Sequence, residues 1–427
     1  MTYLELATNS MLNARGGDHG ARLDWLAAGA VWSCLLLLPV GRSVEVPVLA
    51  LALGGLWLVV RKPRELFSLQ PQRLFAGLFL CVWLPVIFSL PDAVNFTKTA
   101  SVAVTFPRLY LSGVLIIALL GAERRQRYFF TLCAVTLAFW VADGLYEIIF
   151  GQDLFGFEPL GVRINALFGQ HTPKYSMILA VLSPLLFEYA RRNWRWPLVA
   201  LIAATTIAVV LISGTRSAWI STAVILAAYA VVYARPTTGA RWRQLALSAA
   251  LLGAFAGALY LASPRFKVRV DQTLTSLSGR AGQINAIDHR FWIWRGALRM
   301  YRANPINGVG ARDFRYAYAQ YAAPGDPFVR MDPPLIPTNS HQMLLEVASE
   351  TGTLGLVGLI AMCGLLLVAF RAGGSGYLLG PGLCLLVALF PLNTHLAFFS
   401  SFWSQLLWWL IALFCAASRE APAIDRR

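Results

Sequence analysis

The chain has 427 residues, 57% hydrophobic and 13% charged, with a mean hydropathy of +0.60. Soluble domains carry about 25% charged residues, so this composition excludes an ordinary soluble enzyme and overrides the roughly two or three domains that length alone allows. The formal net charge of +15 reads first as the cytoplasmic loop bias of a membrane protein, and only then as a preference for anionic partners; nucleic acid is not among those expected.

Residues 1–23 are polar, with Arg15 and Arg22 ahead of the first apolar run and no convincing small-x-small cleavage site after it. An uncleaved first span is expected rather than a signal peptide. Twelve apolar runs follow, at 24–40, 45–60, 74–90, 106–122, 128–150, 175–190, 197–213, 217–234, 244–262, 352–370, 377–392 and 400–417. Crossing a bilayer takes about 20 residues of helix, and lipid forces the backbone to satisfy its own hydrogen bonds. The expected fold class is therefore an all-α polytopic membrane protein with about twelve transmembrane helices. The six cysteines (Cys34, Cys81, Cys133, Cys363, Cys384 and Cys415) all fall in apolar runs. They show neither metal-ligand spacing nor a disulfide framework, and packing is their expected role.

Lysine and arginine in short loops set the orientation. One alternating set of loops, from Arg61 to Arg371, holds fourteen; the opposite set holds six, namely Arg42, Lys98, Arg108, Arg163, Lys174 and Arg216. The first set and both termini are assigned to the cytoplasm, and dropping any one span would scramble the alternation. Each of the six cations on the other side then needs a reason. Arg216 is the sharpest case, in the very tight turn Ser213-Gly214-Thr215-Arg216-Ser217 between two apolar runs. An arginine at that depth is costly unless it is paired or faces a polar cavity, or snorkels to lipid phosphate.

The chain accordingly divides into a transmembrane region, 1–262, with about nine spans; an external loop, 263–340; and a histidine-bearing helix with the last three spans, 341–427. The loop holds eleven arginines or lysines, five aspartates and no glutamate, and is rich in aromatic residues. Within it, residues 287–302 read as a helix that begins with Asp288 and stops at Asn304-Pro305. At 100° per residue, Arg295, Arg299 and Arg302 share one face, a solvated or headgroup face, whereas Arg290 falls with Trp294, Ala297 and Tyr301 on the face that should pack inward. A buried guanidinium there needs an acid or a bound phosphate. Asn304-Pro305-Ile306-Asn307-Gly308-Val309-Gly310 predicts tight turns, read as a plain helix-ending turn. Tyr316, Tyr318 and Tyr321 are expected to anchor at the interface rather than stack on sugar rings.

His341 is the main catalytic candidate. Asn339 is expected to cap a helix with His341 in its first turn, where the helix dipole keeps the imidazole neutral and able to accept a proton. If that helix is continuous, His341 stands about 16 Å beyond the start of the apolar span at Gly352. Glu346 and Glu350, one turn apart, are expected to pair with external arginines or to shape the site, and Gly352, Gly355 and Gly358 suit close helix packing. His171 is a further candidate for lining the site, and His289 a weaker one. No His-Glu-x-x-His, aspartate pair or Cys-His cluster is present in the sequence, so a metal site is not expected.

His341-Gln342, nine residues, Gly352, two residues and Gly355 resemble the His-[Asn/Ser/Gln]-x9-Gly-x-x-[Gly/Thr/Tyr] signature of bacterial O-antigen ligases. The Arg290 helix, the Asn-Pro-x-x-Gly-Val-Gly turn, the Ser-Gly-Thr-Arg-Ser turn and the large loop ahead of the histidine are also similar to the wider O-antigen ligase and polymerase superfamily, over most of the chain. The resemblance implies a GT-C-type glycosyltransferase, independent of metal and cofactor, in the bacterial inner membrane with a periplasmic active site. It implies transfer of polysaccharide from undecaprenyl pyrophosphate to a hydroxyl of lipid A–core oligosaccharide, with inversion, in lipopolysaccharide biosynthesis. It also implies roles: His341 as general base, Arg216 and Arg290 as pyrophosphate contacts, and Arg312, Arg315 and Arg163 as weaker candidates for donor or acceptor phosphates. The oligomeric state stays open. An O-antigen polymerase or a protein O-oligosaccharyltransferase is the alternative. A lipid-linked sugar transporter would need charges inside the spans and repeated halves, and the runs show few of the former and no repeat.

Overall fold

The computed structural model describes residues 17–159, 161, 163–169, 174–233, 238–277, 286–392 and 397–418. Among these residues regular structure is helical, and no strand forms. The first helices are α1 (Gly17–Leu36), α2 (Glu45–Arg61), α3 (Pro63–Ser68), α4 (Gln70–Phe88), α5 (Phe96–Thr105), α6 (Pro107–Leu119) and α7 (Glu123–Phe150). Then come α8 (Tyr175–Asn193), α9 (Trp196–Ile212), α10 (Arg216–Val232), α11 (Thr238–Ala262), α12 (Pro264–Leu277) and α13 (Ala286–Ala303). The last are α14 (Phe314–Tyr321), α15 (Pro327–Arg330), α16 (Met343–Ala372), α17 (Leu379–Ala388) and α18 (Ser401–Ala417).

A helix therefore occupies each of the twelve expected runs. Length and composition qualify four stretches as membrane spans: Gln70–Phe88, Phe96–Leu119, Glu123–Phe150 and Met343–Ala372. A fifth forms if Ala249–Ala262 and Pro264–Thr275, bent by 111°, count as one broken span. The second of these spans starts ten residues ahead of the expected 106–122, because Asn95 caps α5 by accepting from the Lys98 N–H at 3.0 Å. The chain at Phe106-Pro107 then continues into α6, with Pro107 at a helix start where its missing N–H costs nothing. At the centre lies α18, apolar all round and buried from Trp403 to Ala417, as a helix enclosed by other helices must be.

The polar loop folds around a small core of its own. Ile293, Ala297 and Met300 of α13 pack against Val309, Phe314, Ala317, Tyr318 and Phe328. Tyr318 is not an interface anchor: it is fully buried, and its hydroxyl donates to Asp326 Oδ2 at 2.8 Å. Tyr321 instead accepts from Asn304 Nδ2 at 3.0 Å, bracing the end of α13. Tyr318→Phe leaves a buried Asp326 oxygen without that donor, and should lower stability by about 1–3 kcal/mol. Thermal unfolding of the full chain in detergent measures this, and an unchanged midpoint would remove Tyr318–Asp326 from the list of supports.

The histidine-bearing helix is not continuous. Gly352 interrupts α16 with φ +65° and ψ −158°, and the Asn304–Gly310 turn is seated in the break. Val309 and Gly310 N–H groups donate to Ser349 and Glu350 carbonyls at 2.9 and 3.0 Å, while Thr353 and Leu354 N–H groups donate to Pro305 and Ile306 carbonyls at 2.8 and 3.3 Å. A broken helix exposes unpaired carbonyls on one side and unpaired N–H groups on the other; here one turn satisfies both. The expected plain turn is thus an interlock. Its other face is held by Asp313 Oδ2, which accepts from Asn95 N–H at 2.6 Å and Thr99 Oγ1 at 3.1 Å.

Buried acids are more numerous than the apolar runs led us to expect. Asp143, Glu147, Glu346 and Glu350 are all essentially inaccessible. Their recorded partners are loop amides rather than arginine side chains. Glu350 Oε2 accepts from the Arg312 backbone N–H at 2.7 Å, and Glu346 Oε1 from the Phe399 N–H at 3.3 Å. The pairing of Glu346 and Glu350 with external arginines is corrected accordingly: among the described residues neither forms an ion pair. Asp143 accepts from Leu154 and Leu167 N–H groups at 2.9 and 2.8 Å, and Glu147 from Ala166 N–H at 2.6 Å. These bonds fold the segment that carries Arg163 back over the end of α7.

Candidate active site

Helix α13 forms where the periodicity places it, and its faces divide as expected. Arg295, Arg299 and Arg302 are exposed, whereas Arg290 is half-buried. Arg299 donates to the Ala322 carbonyl at 2.9 Å, and Arg295 lies 5.5 Å from the Trp292 ring centre. The side chains of Asp288 and His289 lie outside the described residues, as does His171.

His341 sits just ahead of α16 rather than in its first turn. The helix begins at Met343, and its N-cap is Gln342, whose side chain accepts from the Leu345 N–H at 2.6 Å. Asn339 accepts from the His341 N–H at 2.9 Å in a local turn, so it caps no helix. His341 takes φ +52°, a left-handed conformation in which non-glycine residues are uncommon and which recurs at functional sites. The loop is latched to α13 by Trp294, whose indole N–H donates to the Ser340 carbonyl at 3.1 Å. This latch brings His341 beside Arg290. Burial holds the imidazole below its ordinary pKa of 6.5, and the Arg290 charge lowers it further. Neutrality thus comes from burial and a neighbouring cation, with the ring placed outside the helix.

Arg290 in turn feels two other guanidinium groups. Burial lowers its pKa first, then the charges of Arg216 and Arg163. Arg216 and Arg163 repel one another as well, and Arg269 lies within Coulombic reach of both. Four arginines from four places in the chain therefore lie within electrostatic reach of one another in a linked group, and Arg290 joins that group to His341. Arg216 arrives at the start of α10, where its Nε is buried with no hydrogen-bond partner. Among the described residues no ion pair joins Arg163, Arg216 or Arg269 to a carboxylate. Like charges gathered in a partly desolvated space repel one another, and a bound anion relieves that repulsion.

The remaining predicted cations are placed elsewhere. Arg108 is engaged by Glu45 at 3.2 Å, and Lys174 lies 4.2 Å from the Phe402 ring centre. Arg312 adopts φ +69°, and its charge lies near Glu346 and Glu350; neither it nor Arg315 is joined to the four-arginine cluster by a described contact. Arg269 was not singled out from the sequence, where it is one of eleven cations in the loop. Among the described residues no group of three His, Cys, Asp or Glu side chains is arranged to hold a metal ion.

Residues 201–360 match the family model described as O-antigen ligase. The match supports membership of the O-antigen ligase/polymerase family. It spans Arg216, Arg269, Arg290, His341 and the interlock at Gly352, and leaves Arg163 outside. No curated protein matches the chain. Among the described residues four helical stretches are long and apolar enough to cross a membrane, which agrees with a multi-pass membrane protein.

Proposed function

We propose that the protein is an O-antigen ligase, which transfers a polysaccharide from undecaprenyl pyrophosphate to a hydroxyl of lipid A–core oligosaccharide at the periplasmic face. The observation that carries this reading is the electrostatically linked group of Arg163, Arg216, Arg269 and Arg290, with Arg290 acting on a half-buried His341 whose pKa is held below its ordinary value. The acceptor hydroxyl oxygen bonds to the anomeric carbon while the bond from that carbon to the pyrophosphate oxygen breaks. The electron pair leaves with the pyrophosphate, which gains negative charge in the transition state. Arg216 and Arg290 meet that developing charge with fixed, charged donors, an interaction stronger in the transition state than before it. The hydroxyl proton passes to the His341 imidazole. A single displacement inverts the anomeric carbon. In this reading the arginines fill the charge-balancing role that a divalent ion fills elsewhere.

The test is reconstitution of the purified protein in liposomes with lipid-linked polysaccharide and lipid A–core, with and without EDTA. Polysaccharide joined to lipid A–core, undiminished by EDTA, is the expected result. Chain extension without the core acceptor would assign the protein to the polymerases instead. Loss of product with EDTA would overturn the metal-independent step, and failure of both reactions would overturn the reading.

A further inference from the structure

We infer that Arg269 is a positioning residue, which fixes the turn that presents Arg216 to the pyrophosphate; the catalytic part of this inference rests on the proposed function. Its guanidinium fork closes on one carbonyl. Nε and Nη2 donate to the Gly214 oxygen at 3.0 and 2.8 Å, and Nη1 donates to Gln272 Oε1 at 2.9 Å. A planar fork with two donors on one acceptor sets direction as well as distance, which an ammonium does not. All three nitrogens of Arg269 thus have protein partners, whereas Arg216 Nε, buried two residues beyond the clamped carbonyl, has none. One arginine holds the turn and the other is left to meet a ligand.

The turn needs such a hold. Ser213 and Gly214 end α9, with Gly214 in the left-handed region at φ +75°, and α10 begins at Arg216. The Gly214 carbonyl accepts from a tertiary donor, the Arg269 side chain. Apolar contacts bring that donor to it: Phe266 of α12 is buried against Ile207, Leu211 and Ile212 of α9, and packs edge-on to Trp219 of α10 at 5.2 Å. The sharp bend between α11 and α12 thereby delivers a guanidinium to the back of the Arg216 turn.

The experiment compares the full-length wild type with Arg269→Lys, which keeps the charge and loses the fork. Amide hydrogen exchange of the segment 213–219 is read without substrate, and turnover is read in the transfer assay. Faster exchange at that segment is expected, with kcat lowered about tenfold or more, KM changed far less, and little further loss when Arg216→Lys is added. Gly214→Ala attacks the clamp from its other side, since the new Cβ would lie 3.1 Å from Arg269 Cγ and Nε; it should reproduce the exchange and turnover effects. Unchanged exchange with lost turnover would mean that the Arg269 fork acts on the substrate directly and does not hold the turn, and would overturn the inference. Faster exchange with wild-type turnover would overturn it equally. Absence of transfer by the wild type would overturn the functional reading alone, because exchange still reports whether the clamp holds the turn.

Discussion

Replacing His341 by alanine is expected to lower glycan transfer by about two to four orders of magnitude, the usual worth of a positioned general base, while the protein stays folded. The fold should survive because the loop holds His341 through its backbone N–H to Asn339, which alanine keeps. His341→Asn gives a second reading with less backbone strain, since asparagine tolerates the left-handed conformation at φ +52° better than alanine does. Transfer rate and thermal unfolding in detergent measure the two halves of this prediction. Near-wild-type turnover in both variants would remove the imidazole from the chemistry. The pH dependence carries the same claim with a sign. The active form is the neutral ring, and burial together with Arg290 holds its pKa below 6.5. Activity should therefore persist below pH 6.5 and fall only as the pH drops through the depressed value. Removing the Arg290 charge, as in Arg290→Met, lowers turnover but should move the acid limb up toward 6.5. An acid limb that stays in place would mean that another group titrates.

The parts of this site that were legible in the sequence are those written locally. Hydropathy located a helix in all twelve runs, and the 100° periodicity separated Arg290 from Arg295, Arg299 and Arg302 because both faces belong to one helix. The Arg216 turn was legible because a cation in a short, apolar surrounding violates a rule that its neighbours obey. What failed did so where a distant partner decides. Asn339, Ser340 and Gln342 all have side chains able to cap, and several registers satisfy the same pattern; only the structure shows Asn339 closing a local turn and Gln342 capping α16. Arg269 had no signature beyond its charge, because its acceptor is a backbone carbonyl in another segment. The buried acids did leave a trace, since Asp143 and Glu147 interrupt an apolar run. Their meaning depends on loop amides that hydropathy does not count.

Substituting Gly352 by alanine is expected to cost about 2–5 kcal/mol, combining roughly 1–2 kcal/mol of left-handed strain with roughly 1–3 kcal/mol of overpacking. The added Cβ would lie 2.1 Å from the Ile306 carbonyl oxygen, 2.4 Å from its carbon and 2.7 Å from the Asn307 nitrogen. All three are backbone atoms of the interlocking turn, so no change of rotamer relieves the clash. Gly364→Ala is the control on the same helix: its Cβ meets nothing within 4 Å, and alanine is the better helix former by up to about 1 kcal/mol. The thermal midpoint in detergent should fall markedly for the first variant and hold or rise for the second. Equal midpoints would mean that the turn does not bear on the break. Activity should suffer beyond the loss of folded protein. The interlock joins the C-terminal end of α13, the helix that carries Arg290 near its start, to the segment of α16 that follows His341. Forcing the turn out of the break therefore moves the base and its neighbouring arginine relative to one another, and a displacement of about 1 Å between groups that must act together is enough to cost roughly a hundredfold in rate.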